Sequence, residues 1–188
     1  MQKRTLETRA RLVAVATALV AENGYGALRT DEVVKRAGVA KGTFFSHFKD
    51  KDALMDLLIG AGIDAHLDQL AKAPPPETVE ELVALQAPLL HFMTQERYVF
   101  DVILRLSGAA AVAEIGAIAT TFGRYLDLTV PWFEKGTFRN DISAELQADG
   151  MQAFVTQAMA LHFCALHEDQ SMGARLAVYL RAWLCPGG

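Results

Sequence analysis

Apolar residues recur three and four positions apart along most of this chain, and almost nowhere do they alternate with polar ones. Leu12, Val15, Ala16, Leu19 and Val20 mark one face of a first helix, with Thr8 placed to cap it and Gly24 to stop it after Asn23. A second, short helix over 31–37 carries Val33, Val34 and Ala37 on one side. Thr30 is placed to cap it, Asp31 and Glu32 suit its positive end, and Gly38 breaks it. A third short helix is predicted at about 42–47. Asp50 then caps a longer helix at 51–71 bearing Ala53, Leu54, Leu57, Leu58 and Ala61. The run Pro74-Pro75-Pro76 ends it.

Further helices are expected at 77–94, 96–107, 110–135, 143–167 and 170–185, with kinks or breaks at Pro88 and Pro131. Residues 136–141 read as a connecting turn, after which Ser143 caps the next helix. No segment has strand character, so the expected fold class is all-α. The basic start and apolar run of the first twenty residues do not read as a signal peptide, because Glu7 interrupts the leader and the apolar positions follow a helical stripe. The longest uncharged run, 150–167, holds two Gln, a Thr and two His and makes a poor membrane span. Cys164 and Cys185 are too few for a disulfide framework and read as reduced thiols of a cytoplasmic protein.

Composition adds one asymmetry. The 188 residues are 52% hydrophobic and 21% charged, which excludes a disordered chain. Residues 1–51 hold ten Lys and Arg against five Asp and Glu, whereas 52–188 hold eight against seventeen. A basic head on an acidic body points to a polyanion as partner for the head alone. The division expected is therefore 1–51 for nucleic-acid binding and 52–188 for everything else.

The head also contains AGVAKGTFFSHFKDK, residues 37–51, in which Phe44, Phe45 and Phe48 lie among Lys41, Lys49 and Lys51. Helix 31–37, a turn at 38–40 and helix 42–47 make a helix-turn-helix, whose second helix suits a DNA major groove. Phe44 and Phe48, four apart, share the face that packs inward; Phe45 lies about 100° round the helix, beside Lys41, Gly42 and Ser46. Lys41, Lys49, Lys51 and Arg29 can neutralise phosphates, and the hydroxyls of Thr30 and Thr43 can hydrogen-bond them. Gly42 admits close approach of a sugar–phosphate strand. Ser46 and His47 can meet phosphates or base edges, and the best partner for Phe45 is a thymine methyl.

From Thr8 to about Leu58 the run TRARLVAVATALVAENGYGALRTDEVVKRAGVAKGTFFSHFKDKDALMDLL resembles the DNA-binding domain of TetR-family transcriptional repressors, over roughly the first third of the chain. The resemblance implies a two-domain, all-helical homodimer that binds a DNA operator and a small-molecule inducer. It also implies that the last two helices form the dimer's four-helix bundle. Its DNA contacts carry over to Thr30, Lys41, Thr43, Phe45, Ser46, His47 and Lys51. Where the family commonly has Tyr, this chain has Phe45, which removes one hydroxyl able to bond a phosphate.

Beyond Pro76 the residues are read on their own. Helix 143–167 is apolar nearly all round, through Met151, Phe154, Val155, Ala158, Met159, Leu161, Phe163 and Leu166, so it is expected to bury more than one side. With helix 170–185 it supplies the expected homodimer face: Val155, Leu166, Leu176, Tyr179, Leu180 and Trp183. Candidate walls of an effector pocket are Phe92, Tyr98, Phe122, Tyr125, Trp132, Met151, Phe154 and Met159, joined by Leu104 and Leu126. Gln86, His91, Arg105 and His162 are the polar candidates. Such a set suits a mostly apolar or aromatic effector.

Other chemistries fit less well. Ser46 and His47 are adjacent and diverge on a helix, and neither His162 nor His167 aligns with Cys164, so no nucleophile–base pair and no enzyme is expected. Gly24-Tyr-Gly26 lacks the third glycine of a dinucleotide fingerprint, and no cofactor motif is present. A metal-responsive regulator is the alternative, using Asp64, His66 and Asp68 or His162, Cys164 and His167, though only Asp64 and Asp68 share a helix face. The last alternative, a helical protein without DNA binding, is disfavoured by the basic head.

Overall fold

The computed structural model describes residues 2–107, 115–164 and 170–186, and every regular element among them is an α-helix. In chain order these are α1 (Gln2–Asn23), α2 (Thr30–Ala37), α3 (Lys41–Phe45), α4 (Lys51–Leu70) and α5 (Val79–Thr94), then α6 (Arg97–Leu106), α7 (Ala117–Phe133), α8 (Ala144–His162) and α9 (Met172–Leu184). None of them is long and apolar enough to cross a membrane. Residues 110–114 and 165–167, expected to be helical, lie outside the described residues.

Several ends follow the expected chemistry. Gly38 takes the left-handed conformation at φ 64° and its amide closes α2 on the Lys35 and Val34 carbonyls. Asp50 accepts from the Ala53 amide, Thr78 from Glu81, Ser143 from Leu146 and Ser171 from Ala174, so four helices start on side-chain caps.

Other ends differ. α1 begins at Gln2, so Thr8 is not its cap; the Thr8 hydroxyl lies inside the helix and donates to the Arg4 carbonyl at 2.9 Å. Thr30 is the first residue of α2, and the extended Arg29 precedes it with only its backbone carbonyl accepting from Glu32 and Val33. Neither α5 nor α7 breaks at its proline. Pro88 and Pro131 both face solvent, as do Ala84 and Asp127 four residues earlier, so each freed carbonyl is open to water.

Two carboxylates bind backbone amides far away in the chain. The residue before α7 is Gly116, which has no side chain to offer; Asp56 of α4 supplies the carboxylate, accepting from Ala117 N at 2.7 Å and Ile118 N at 3.0 Å. Glu96 precedes α6 without capping it, and its carboxylate instead accepts from Tyr25 N at 2.7 Å and Gly26 N at 2.9 Å, in the turn between α1 and α2. The first tie fixes α7 against α4, the most extensive helix pairing among the described residues. The second ties the head to the α5–α6 corner.

One apolar core runs from Leu12 of α1 through Phe44, Met55, Ile63, Leu82, Ile103 and Met151 to Leu184 of α9. Where α4 meets α7 the backbones approach so closely that a Cβ on Gly60 would lie 2.7 Å from the Ala117 Cβ and 3.0 Å from its carbonyl carbon. Backbone cannot swing aside as a long side chain can. Gly60→Ala is therefore expected to destabilise the fold by about 1–3 kcal/mol, as overpacking does. It should be read as a lower urea midpoint with an unchanged slope. A midpoint equal to that of the unmodified chain would show that the α4–α7 contact yields at no cost.

Candidate nucleic-acid interface and interior cavity

The helix-turn-helix rests on its aromatics. Phe44 and Phe48 are 0% and 3% exposed, with ring centroids 5.4 Å apart, and the Arg9 guanidinium covers Phe48 at 4.9 Å. Phe45 stands edge-on to Phe44 at 5.4 Å and is 49% exposed. The helical repeat thus turns two rings inward and one outward. α3 ends two residues earlier than expected, but amides of His47 and Phe48 still reach the Phe44 carbonyl at 2.9 Å, so the turn continues through Phe48.

Lys41, Gly42, Ser46 and Lys49 are exposed around Phe45, with Thr43, His47 and Thr30 half-buried beside them. Ser46 donates to the Thr43 carbonyl at 2.7 Å, which leaves its oxygen lone pairs facing outward. The Lys41 ammonium lies 2.7 Å from the Asp31 carboxylate, and both side chains are largely in solvent. An exposed pair of this kind is weak and readily exchanged for a phosphate. Asp31 at the start of α2 reads from sequence as a helix-dipole partner; its reach to α3 depends on how the two helices cross.

Arg29 and Lys51 sit at the edge nearest the body. The Arg29 guanidinium donates to the Gly26 and Leu28 carbonyls at 3.0 and 3.3 Å. Lys51 lies over the Tyr98 ring at 4.7 Å, and burial first, then the neighbouring Arg29 charge, lower its pKa, with Asp52 acting the other way. Tyr98, expected in a pocket, is thus part of the seam between head and body. Burial first, then the nearby Asp52 charge, raise the pKa of its phenol.

A second feature lies inside the body. An almost wholly apolar cavity of about 20 Å³ lies between α4, α5, α7 and α8, walled by Ile63, Leu67, Leu89, Met93, Thr121, Phe122, Tyr125, Gln152, Val155, Thr156 and Met159. That is room for about one water. Phe122, Gln152, Thr156 and Met159 also wall an outer cavity of about 440 Å³, which Phe100, Ile103, Leu104, Ser107, Asp149, Ala153 and Gln157 complete. Four of the fourteen expected ligand residues, Leu104, Phe122, Tyr125 and Met159, meet in these walls.

The others are placed elsewhere. Gln86 is buried and accepts from the Tyr125 hydroxyl while donating to the Leu82 carbonyl at 3.3 Å and the Met151 sulfur at 3.6 Å. Burial pushes the Tyr125 phenol far above its ordinary pKa, so this bond persists across the accessible pH range. Trp132 and Met151 are core residues outside both walls. Phe92 stacks on His66 at 5.0 Å and meets Tyr25 edge-on at 6.2 Å; it belongs to the head–body seam. Phe154 lies against Tyr179 and Trp183. His91, Arg105 and His162 are exposed, Arg105 pairing with Asp52 at 3.2 Å and His162 resting on Phe163.

Sequence reading missed Thr121, Gln152 and Thr156. The i,i+4 spacings of Thr121 with Tyr125 and of Gln152 with Thr156 are the signal that could have found them.

The expected dimer residues divide too. Val155, Leu176 and Leu180 are buried inside their own subunit, Val155 lining the cavity, so they cannot form a subunit face. Tyr179 and Trp183 are half-buried, and Leu166 lies outside the described residues. The apolar side chains that α8 and α9 do leave exposed are Leu146 and Val178, at 48% and 51%.

The metal alternative finds no support. Arg124 occupies Asp64 at 2.8 Å and Asp68 at 2.5 Å, and His66 Nδ1 is bonded to the Gly62 carbonyl at 2.9 Å. Among the described residues no group of three or more His, Cys, Asp or Glu is placed to hold a metal; His167 lies outside them.

Comparison with known proteins agrees with this geometry. Residues 12–58 match the family model "Bacterial regulatory proteins, tetR family". The uncharacterized HTH-type transcriptional regulator YerO of Bacillus subtilis (strain 168) is 29% identical over 87 residues, which cover 43% of this chain and 30% of that relative's length. Among solved structures, the TetR-family repressor FadR of Thermus thermophilus with lauroyl-CoA superposes at a TM-score of 0.66 and 20% identity, covering 93% of this chain and 92% of that one. RolR with resorcinol gives 0.64 and 20%, covering 97% and 90%. The matched family consists of transcriptional regulators rather than enzymes.

Lys41 offers a direct check on the interface. Lys41→Ala should weaken binding to any duplex and reduce the slope of log affinity against log salt by about 1, the share of a single phosphate contact. An unchanged slope would mean that Lys41 stays with Asp31 on DNA.

Proposed function

We infer that this chain, which carries a TetR-family DNA-binding domain, is a repressor that holds a palindromic operator as a homodimer and releases it when a small, mostly apolar or aromatic effector enters the body. The observation that carries this reading is the outward edge of α3. There Phe45, Lys41, Gly42, Ser46 and Lys49 are accessible on a ridge that the buried Phe44 and Phe48 hold in place. On this reading residues 1–51 bind DNA and 52–188 sense and dimerise.

Lys49, Lys41 and Arg29 neutralise phosphates, the Thr30, Thr43 and Ser46 hydroxyls and His47 bond the backbone or base edges, and Phe45 meets thymine methyls. Lys51 acts at the margin of the contact. Pairing of α8 and α9 with their symmetry mates, across Leu146, Val178, Tyr179 and Trp183, places two α3 ridges about one DNA turn apart, roughly 34–36 Å. Two fold neighbours support a small aromatic effector, RolR holding resorcinol and SmeT, at a TM-score of 0.58, holding triclosan; the Thermus protein holds lauroyl-CoA, an acyl chain on a large anionic head.

The body then acts on the head through two attachments. α4 carries cavity residues Ile63 and Leu67 and begins at Lys51, directly after the helix-turn-helix. α5 carries cavity residues Leu89 and Met93 and leads to Glu96, whose carboxylate grips the α1–α2 turn. At about 20 Å³ the inner cavity has room for about one water, so an effector that fills it must part these helices. It therefore favours a body shape other than the one described, which is the differential affinity that regulation requires.

Two experiments test this reading. Selection from a random duplex pool should enrich a palindrome, and Val178→Asp should yield a monomer with strongly reduced operator affinity; an unenriched pool would overturn the DNA-binding role. Glu96→Ala removes two charge-assisted hydrogen bonds worth about 1.5–3 kcal/mol each, as large as a typical coupling free energy of about 1–3 kcal/mol. The variant should still bind effector but no longer change operator affinity in response. Full retention of the response would assign the coupling to α4 alone.

A further inference from the structure

The geometry points to an effector whose polar end bears no negative charge and donates hydrogen bonds, best of all a lipophilic amine. This rests on the cavity reading above and adds the chemistry of the ligand's head.

The inner hydroxyls have their protons committed to the protein. Thr121 donates to the Ile118 carbonyl at 2.6 Å, Thr156 to the Gln152 carbonyl at 3.0 Å, and Tyr125 to Gln86. What these oxygens still present to a ligand is lone pairs. Gln152, in the partition between the two cavities, supplies an amide that can do either.

Charge points the same way. Asp149 stands in the outer wall, and no Lys, Arg or His occurs among the described lining residues of either cavity. The nearest cation in sequence to that wall, Arg105, is directed to Asp52. Asp149, Gln152 and Thr156 follow one another three and four residues apart, so they make a polar line along α8 from the exposed mouth to the closed interior. Apart from Ser107 and Gln157 the rest of the outer wall is apolar, chiefly Phe100, Ile103, Leu104, Phe122 and Met159, which suits an aromatic or alkyl body.

An ammonium group entering along that line meets the Asp149 carboxylate first and then the acceptors of Gln152 and Thr156. A carboxylate or phosphate entering it meets a like charge and no cation, and only the neutral donors of Ser107, Gln152 and Gln157 offset its lost hydration. The outer cavity is of the size that holds small ligands.

Calorimetric titration of the full chain at pH 7 and fixed ionic strength, with 4-phenylbutylamine, 4-phenylbutan-1-ol and 4-phenylbutanoate, varies the head on one body. The amine should bind tightest, the alcohol next, and the carboxylate at least about ten-fold more weakly than the amine. Asp149→Asn should weaken the amine about three-fold, in keeping with a partly exposed pair, and leave the alcohol unchanged. Thr156→Trp fills the passage between the cavities and Ala153→Phe fills the exposed mouth; each should abolish binding, with thermal melts checking that both variants fold.

A carboxylate bound as tightly as the amine, and lost in the filled variants, overturns the head-group assignment while leaving the cavity as the effector site. Binding that survives both filled variants, or no binding by any of the three, overturns the cavity reading and this inference with it.

Discussion

The Glu96 carboxylate joins two regions that chemistry alone would leave independent. Its bonds to the Tyr25 and Gly26 amides cross seventy residues of sequence and fasten the corner between α5 and α6 to the turn between α1 and α2. Gly24, at φ 84°, lets the turn come that close, because a side chain there would meet the carboxylate. Around this contact Phe92, His66, Tyr25, Tyr98 and Lys51 close the seam with aromatic surface. The helix-turn-helix is therefore held at a second point besides its continuation into α4. A body that changes shape must carry the head with it.

Asp56 does for the interior what Glu96 does for the seam. By capping α7 from α4 it makes the wall that carries Thr121, Phe122 and Tyr125 move with the helix that leads to the head. The same helix pair crosses at Gly60, where there is no side chain to act as a cushion. Close packing of this kind favours two discrete arrangements over continuous deformation, which is what a regulated operator affinity needs.

Charge and aromatic placement divide the molecule by role. The basic head presents one aromatic ring and a rim of cations outward, with the other two rings inside, so its accessible ridge is both rigid and positive. The acidic body encloses an apolar space whose polar groups already satisfy one another. On the proposed reading the head offers a surface for a polyanion and the body an enclosure that disfavours anions.

Periodicity alone was sufficient for the helices, for the inward and outward rings of α3, and for caps at Asp50 and Ser143, because these depend on residues within one or two turns. The family resemblance was legible too, because the residues that carry it form one local, nearly continuous run. Prolines 88 and 131 were misleading, because sequence does not show that the carbonyls they release face water. The walls of the cavity were mostly hidden for a related reason. An apolar helix such as α8 has several plausible inner faces, and only its neighbours determine that Val155 and Met159 line a cavity while Leu146 stays exposed. Leu176 and Leu180 went from a subunit face to the core by the same rule. Which residue types are present was legible from the chain; which of them meet, as Glu96 meets Tyr25 and Lys41 meets Asp31, was settled by helix crossings that bring distant positions within a hydrogen bond.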